Sequence, residues 1–505
     1  MRDIVDELLK GRRPFHWPLE FPEVFVSRHE GFDAIVSNPP FLGGQRITGN
    51  FGTDYRDYLV GHLANGKRGS ADLCAYFFLR TTHLVHQNGM CALLATNTIA
   101  QGDTREVGLD QIVASLWTIP RAIPSRKWPG EASLEVAHIW LRHGKWYGEY
   151  ALNDISVESI TPFLTPPGKA QGNPERLIEN AGKSFQGSIV LGMGFVLKPE
   201  EAQALIARDP HNRDVLFPYL NGEDLNSRPD QSSSRWVINF FDWPLERAET
   251  YPDCIKIVRE KVKPERDHNN RKVRRERWWQ YAERAPALYS TIANMRRVLV
   301  RALTGKHHAF AFLNTGFVFD QTAPVYTFDQ YEIFAVLQTD LHRVWAIQYG
   351  ATLETRMRYT PSDCFENYPF PENLEGLESV GEGYYTHRQS IMLSWKEGLT
   401  KTYNRFHDPQ ETAEDIVHLR ALHKEMDEAV AKAYGWDDLD LGHGFHETKQ
   451  GLRYTISEEA RREVLGRLLK LNHERYAEEV AMGLHEKGTK KGKDGVEEQG
   501  ELVFE

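Results

Sequence analysis

Residues 32–44 read "FDAIVSNPPFLGG". A short apolar run passes directly into Asn38-Pro39-Pro40-Phe41, and this junction constrains the chain more than any other stretch. Each proline lacks an amide hydrogen and has a fixed φ, so neither a strand nor a helix interior continues through the pair. The strand must end at Asn38. In open α/β sheets ligands bind beyond the carboxyl ends of the strands. The motif therefore puts a carboxamide, two stiff residues and an aromatic ring at the mouth of a sheet. The plainer reading is a proline-stiffened turn with Phe41 tucked into a core.

The surrounding pattern predicts that sheet. "GMCALLATN" is a second β-rich run, and "ADLCAYFFLRTTHLVHQNG" between the two has helical spacing with an Asn-Gly stop. Strand, helix, strand implies a right-handed crossover in a mostly parallel sheet. "EASLEVAHIWLRHGKWYGEYAL" predicts two antiparallel strands around a Gly-Lys turn. Residues 1–150 thus read as one α/β domain, and the Pro- and Gly-bearing stretch 151–175 as a linker. Residues 176–372, rich in aromatics, read as a separate mixed α+β domain. Residues 373–485 read as a helical carboxyl-terminal region, with a capping-box-like start at Thr412 and Asp415 and a Ser457 cap. The charged end, 486–505, reads as disordered.

With 505 residues the chain has room for two to four domains, and its net charge of −10 excludes a wholly basic coat protein but not a local basic face. One such face is legible. Between 256 and 277 there are ten Lys/Arg against four acids. In "KIVREKVKPERDHNNRKVRRERWWQ" the candidates for tracking phosphates are Lys261, Lys263, Arg266, Arg271, Lys272, Arg274, Arg275 and Arg277, with Trp278 and Trp279 beside them. A solvated helix face is the competing reading. Arg356 and Arg358, in an apparent loop, are suited to guanine edges. No apolar run is long enough to span a bilayer, and the amino-terminal stretch lacks a signal peptide's apolar core. The four cysteines have no CxxC spacing, which suggests neither a disulfide framework nor a zinc site and points to a reducing, cytoplasmic compartment. The twenty histidines show no paired ligand spacing, so no metal is expected.

Three segments together, "PFHWPLEFPEVF", "NPPFLGG" and "RYTPSDCFENYPFP", resemble the type IIG, MmeI-like adenine-specific DNA methyltransferases. The resemblance covers nearly the whole chain to about residue 372. It implies a Rossmann-like methyltransferase sheet, a target-recognition domain over 176–372, S-adenosylmethionine as methyl donor and double-stranded DNA as substrate. It also implies catalytic roles for Asn38, Pro39, Pro40 and Phe41, and Trp128 reads either as an aromatic wall for the base pocket or as a core tryptophan. The alternative is a non-catalytic specificity subunit or a degenerate remnant. Lys67, Arg68 and Asp72 read most simply as an ordinary helix start capped by Ser70. The family's order puts a glycine-rich cofactor loop before the NPPF strand, and no such loop is found in the 37 residues ahead of Asn38. The expectation is thus a carboxyl half lacking the amino-terminal part of its sheet, completed by an upstream polypeptide or segment.

Overall fold

In the computed structural model the run ahead of Asn38 forms β1 (Phe32–Ser37), first strand of a six-stranded sheet. The other strands are β2 (Val85–Thr96), β3 (Trp117–Lys127), β4 (Glu135–His143), β5 (Tyr150–Leu152) and β6 (Ile155–Val157). Their order across the sheet is β1-β2-β4-β3-β5-β6. The structure describes residues 15–26, 30–67, 69–129, 135–167, 172–353, 356–448 and 450–485. Residues 486–505 and Arg68, named above, lie outside them.

β1 runs parallel to β2, with Ser37 opposite Leu93, and β4 runs antiparallel to both β2 and β3. The predicted crossover is present. Helices α1 (Gly44–Phe51) and α2 (Leu73–Thr82) lie between β1 and β2. Phe78 of α2 is fully buried with Leu93, Ile139 and Leu141 of the sheet. Burying a ring of that size stabilises the fold by roughly 1.5–3 kcal/mol.

Three local expectations need correction. The helix ends at Thr82, and Asn88-Gly89 lies inside β2. Asn88 has φ 73°, and a Cβ on Gly89 would fall 2.4 Å from Val85 Cγ1. The pair therefore forms a bulge, and the register jumps from Phe32↔Val85 to Ala34↔Met90. Helix α2 is capped by Asp72, not Ser70: Asp72 Oδ1 accepts the Cys74 amide at 2.9 Å. The hairpin forms between β3 and β4 rather than around Gly144. After β4 the chain crosses over, and β5 pairs in parallel with β3 (Arg121↔Ala151). Residues 150–157 are thus part of the sheet, and Ile160 and Leu164 are buried in its core. What reads as a linker is largely sheet and core, and the first compact unit runs to Pro167.

The second unit holds the rest of the described chain. It contains two four-stranded sheets, a three-stranded sheet of β7 (Thr304–Gly305), β8 (Ala351–Leu353) and β9 (Arg356–Arg358), and a hairpin of β10 (Gly444–Thr448) and β11 (Gly451–Thr455). Its longer helices include α3 (Asp340–Tyr349), α4 (Leu377–Trp395), α5 (Glu414–Ala433) and α6 (Glu458–Ala481). The carboxyl-terminal region is therefore neither wholly helical nor separate. Arg388 of α4, 1% exposed, donates to the Phe310 carbonyl (2.6 Å) and to Gln338 Oε1 (3.1 Å). This buried guanidinium, bonded through its two Nη atoms to one backbone carbonyl, one amide oxygen and the Tyr403 hydroxyl, ties the two stretches into one core. Ser457 caps α6 as expected, accepting the Ala460 amide. Thr412 caps nothing: α5 starts after Ala413, whose amide is taken by Glu411.

"FENYPFP" lies in this second core. Phe365 and Tyr368 are fully buried, and Asn180 Nδ2 reaches the carbonyls of Phe365, Glu366 and Tyr368.

Candidate functional site

At the end of β1, Asn38 is exposed, Pro39 buried, Pro40 exposed and Phe41 half-buried. The Asn38 carboxamide makes no hydrogen bond with any described residue. Phe41 and Leu42 pack on the first core, which anchors the loop behind the exposed amide. Asp72 then fastens the loop to α2: its Oδ1 accepts the Leu42 amide at 3.2 Å as well as that of Cys74, and the Leu73 amide donates to the Leu42 carbonyl at 2.9 Å. Helix α1 starts hard against the same turn. A Cβ on Gly44 would lie 2.4 Å from the Ser70 backbone, so only glycine fits there. Arg56 bonds the Gly44 and Gly69 carbonyls, and the Ser70 amide donates to Asp103. The result is a rigid platform presenting one unengaged carboxamide.

The sheet brings other polar groups to the same side. β2 leads into Asn97 and Thr98, and the Thr96↔Val136 and Lys127↔Glu135 pairings place the start of β4 and the end of β3 there. Asn97 Nδ2 donates to Glu135 Oε2 at 3.4 Å, and the Ser125 hydroxyl bonds the same oxygen. Sequence reasoning singled out neither Asn97 nor Glu135, since their proximity arises only from strand register. Trp128, half-buried, directly follows β3. Cys74 is no nucleophile: burial first, and the Asp72 charge next, push its thiol well up, so it stays protonated. Cys74, Cys91, Cys254 and Cys364 are all free and buried.

The outer edge of β1 pairs with no strand among the described residues, and Val36 is 83% exposed. The chain enters β1 through an aromatic group in which Trp17 stacks on Phe21 at 5.9 Å and both meet Phe32 edge-on. No glycine-rich turn follows a strand ahead of β1 among the described residues. The described residues ahead of β1 thus offer no turn that would hold a methyl donor's ribose.

In the second unit the basic stretch is not one helix but three short ones, Pro252–Lys261, Lys263–Asp267 and Lys272–Glu276. Lys261, Arg271, Lys272, Arg275 and Arg277 are exposed, while Lys263 and Arg274 are half-buried. Lys263 pairs with Asp267 and Lys272 with Glu276. Arg266 must be removed from the set. It is 1% exposed, and its Nη2 donates to the Val190 and Leu191 carbonyls, so the side chain serves the core. Trp278 and Trp279 are likewise core residues, 6% and 9% exposed, and Trp279 Nε1 bonds the Trp243 carbonyl. The pattern misleads because the breaks near Val262 and 268–271 rotate each segment, so spacing does not tell which face looks inward. Arg356 and Arg358 are in β9, not a loop; Arg356 is exposed and Arg358 half-buried.

The site thus lies where a parallel strand ends in Asn-Pro-Pro-Phe, beside an antiparallel β3–β4 pair, and comparisons with known proteins bear on what it belongs to. Residues 2–116 match the family described as Eco57I restriction-modification methylase, and residues 177–372 match the MmeI target recognition domain. The chain thus carries an Eco57I-type methylase-family region followed by an MmeI-type target recognition domain. DNA methyltransferase A of Bacillus subtilis (strain 168) is 20% identical over 436 residues, 82% of this chain and 47% of its own length. This chain therefore spans about half of that relative. The type IIL restriction-modification enzyme MmeI, solved in complex with DNA, shares the fold at a TM-score of 0.69 and 18% identity, over 88% of this chain and 57% of its own. No helix among the described residues is long and apolar enough to cross a membrane.

Proposed function

We propose that this chain is the base-binding and target-recognition part of an adenine-specific DNA methyltransferase of a restriction-modification or phage-defence system. The observation that carries the reading is the unengaged Asn38 carboxamide on its braced Pro-Pro platform. Adenine's exocyclic amine is a poor nucleophile because its lone pair is delocalised into the ring. The Asn38 oxygen and the Pro39 carbonyl would accept its two hydrogens and draw the nitrogen towards a tetrahedral geometry. Positioned acceptors, needing no reorganisation when the base arrives, align the nitrogen for attack, so no strong general base is needed and the methylated amine's extra proton leaves to solvent afterwards. Phe41 offers its ring to an adenine extruded from the duplex, since chemistry at a base edge requires flipping. The exposed cations of the 261–277 stretch, with Arg356 and Arg358, would hold the phosphates and read base edges.

The methyl donor the family implies is S-adenosylmethionine, which would supply an electrophilic sulfonium carbon once a completed sheet held it. The open outer edge of β1 supports completion of the sheet, and of the donor site, by further strands from the same or another polypeptide. An unpaired edge with an apolar residue exposed is a template for added strands.

The test is methyl transfer to double-stranded DNA by the chain alone and mixed with the product of the adjacent upstream reading frame. Transfer to adenine in the mixture is expected. DNA binding without transfer in either sample would make the chain a specificity subunit instead.

A further inference from the structure

Asp340 opens α3, and His423 and Asp427 sit one turn apart on α5. All three are buried, at 2%, 5% and 0% exposure. Asp340 Oδ2, His423 Nε2 and Asp427 Oδ2 converge, each within 4.8 Å of the others. The methyl-transfer reading uses none of them, and none is in the NPPF unit.

The outer contacts of the two carboxylates hold them in place, while the outer nitrogen of His423, Nδ1, has no hydrogen-bond partner. Asp340 Oδ1 is bonded by Arg343 Nε, and Arg343 in turn bonds Thr455 Oγ1 of β11. The Asp340 amide donates to Asp427 Oδ1 at 2.9 Å, and His443 Nε2 lies 2.8 Å from Asp427 Oδ2. The His423 ring is walled by Tyr384 and Phe406, each 5.4 Å away. The inward contacts, by contrast, are incomplete. Asp340 Oδ2 has no hydrogen-bond partner, though it is buried and aimed at the other two groups. His423 Nε2 is 3.7 Å from Asp340 Oδ2 and 3.7 Å from Asp427 Oδ2.

Charge and distance then point the same way. Two buried carboxylates face one guanidinium, leaving a negative charge that a buried site must neutralise. A proton on His423 would do so. A charge-assisted hydrogen bond, however, closes to about 2.7–2.9 Å, and 3.7 Å is too long for one. A separation of that size suits two ligands of one ion, each about 2.0–2.2 Å from it. One imidazole nitrogen and two carboxylate oxygens form a donor set of borderline softness. The Arg343, His443 and backbone bonds to the carboxylates are the outer-sphere support that ligating groups need.

We propose that Asp340, His423 and Asp427 bind one divalent cation of zinc's class, which ties the start of α3 to α5 and, through Arg343 and His443, to the β10–β11 hairpin. The chain's spacing hides such a site, because the ligands come from helices more than eighty residues apart, with only the His423/Asp427 pair local.

The test uses the full chain, stripped by a chelator and titrated with zinc alone, with metal content measured after gel filtration. One zinc per chain and a higher melting temperature are expected. Asp427→Asn and His423→Gln should each weaken binding by more than about tenfold, whereas His62→Gln, at an exposed histidine, should not. Should the buried variants fail to fold, cobalt(II) decides on the unaltered chain: visible d–d bands saturating at one equivalent support the site. Substoichiometric zinc without cobalt bands, together with a protonated His423 imidazole by NMR, would overturn the proposal and leave a proton as the occupant.

Discussion

Two asparagines in proline-bearing turns, Asn38 and Asn367, are treated in opposite ways by this fold. Asn38, in Asn-Pro-Pro-Phe, is exposed with both ends of its amide free of described partners. Asn367, in Asn-Tyr-Pro-Phe-Pro, is 4% exposed and engaged at both ends: Oδ1 accepts Trp345 Nε1 at 3.0 Å, and Nδ2 donates to the Asp363 carbonyl at 2.9 Å. Even its own carbonyl is taken, by Asn472 at 2.7 Å. Similar residue types thus serve opposite ends. The locked amide helps close a core, whereas the free one leaves both its ends open to solvent. What separates the two is whether the amide's hydrogen-bonding capacity is already spent.

The sharpest break between them is Asn38→Ala. In the reconstituted enzyme, turnover should fall by roughly 10²–10³, the loss typical of one positioned polar group, with the melting temperature unchanged. Full activity in single-turnover assays would take the loop out of the mechanism. Acid should act on the other side of the comparison. His342, stacked edge-on against Tyr368 at 4.5 Å, is lowered to about 4 by burial, against the support of its bonds to the Leu337 and Cys364 carbonyls. Folded, it stays neutral; unfolded, it takes up a proton near the ordinary histidine value of about 6.5. Stability is therefore full above that value and declines as pH drops towards 4, by on the order of 3 kcal/mol from this residue. Urea unfolding followed by tryptophan fluorescence should show a falling midpoint across that window, and a flat one would refute the assignment.

Asn367→Ala should cost about 2–3 kcal/mol in the same unfolding experiment, because the buried indole N–H loses its acceptor. Its methyl transfer per folded molecule should match the unaltered chain. The smallest effect belongs to Phe41→Ala, about 1–3 kcal/mol in capture of a flipped base, read from a fluorescent adenine analogue at the target. Unchanged analogue fluorescence alongside a lowered melting temperature would make Phe41 a core residue only.

The contrast also measures how far a sequence can be read. The β1–α2–β2 crossover was legible because it rests on local pattern and handedness, and the position of the NPPF turn because proline chemistry is local. The hairpin was misplaced because antiparallel partners are chosen by register across the sheet; β5 found β3 in parallel where alternation alone suggested β4. Arg266 was taken for a surface cation because a charged residue usually is one, and only the carbonyls of Val190 and Leu191 make its burial tolerable.

By itself, then, the sequence determined where chain direction must change: the strand stop at Asn38, the Ser457 helix start, and the residue types at the sheet's mouth. Those are properties of single residues and of their immediate neighbours. Tertiary structure alone decided which polar groups are already satisfied. It left Asn38 open and Asn367 closed, moved Arg266, Trp278 and Trp279 inside, and converged Asp340 with His423 and Asp427. The physical reason is that satisfaction of a hydrogen bond or a charge depends on partners distant in the chain, which folding brings within a few ångströms and local pattern does not encode.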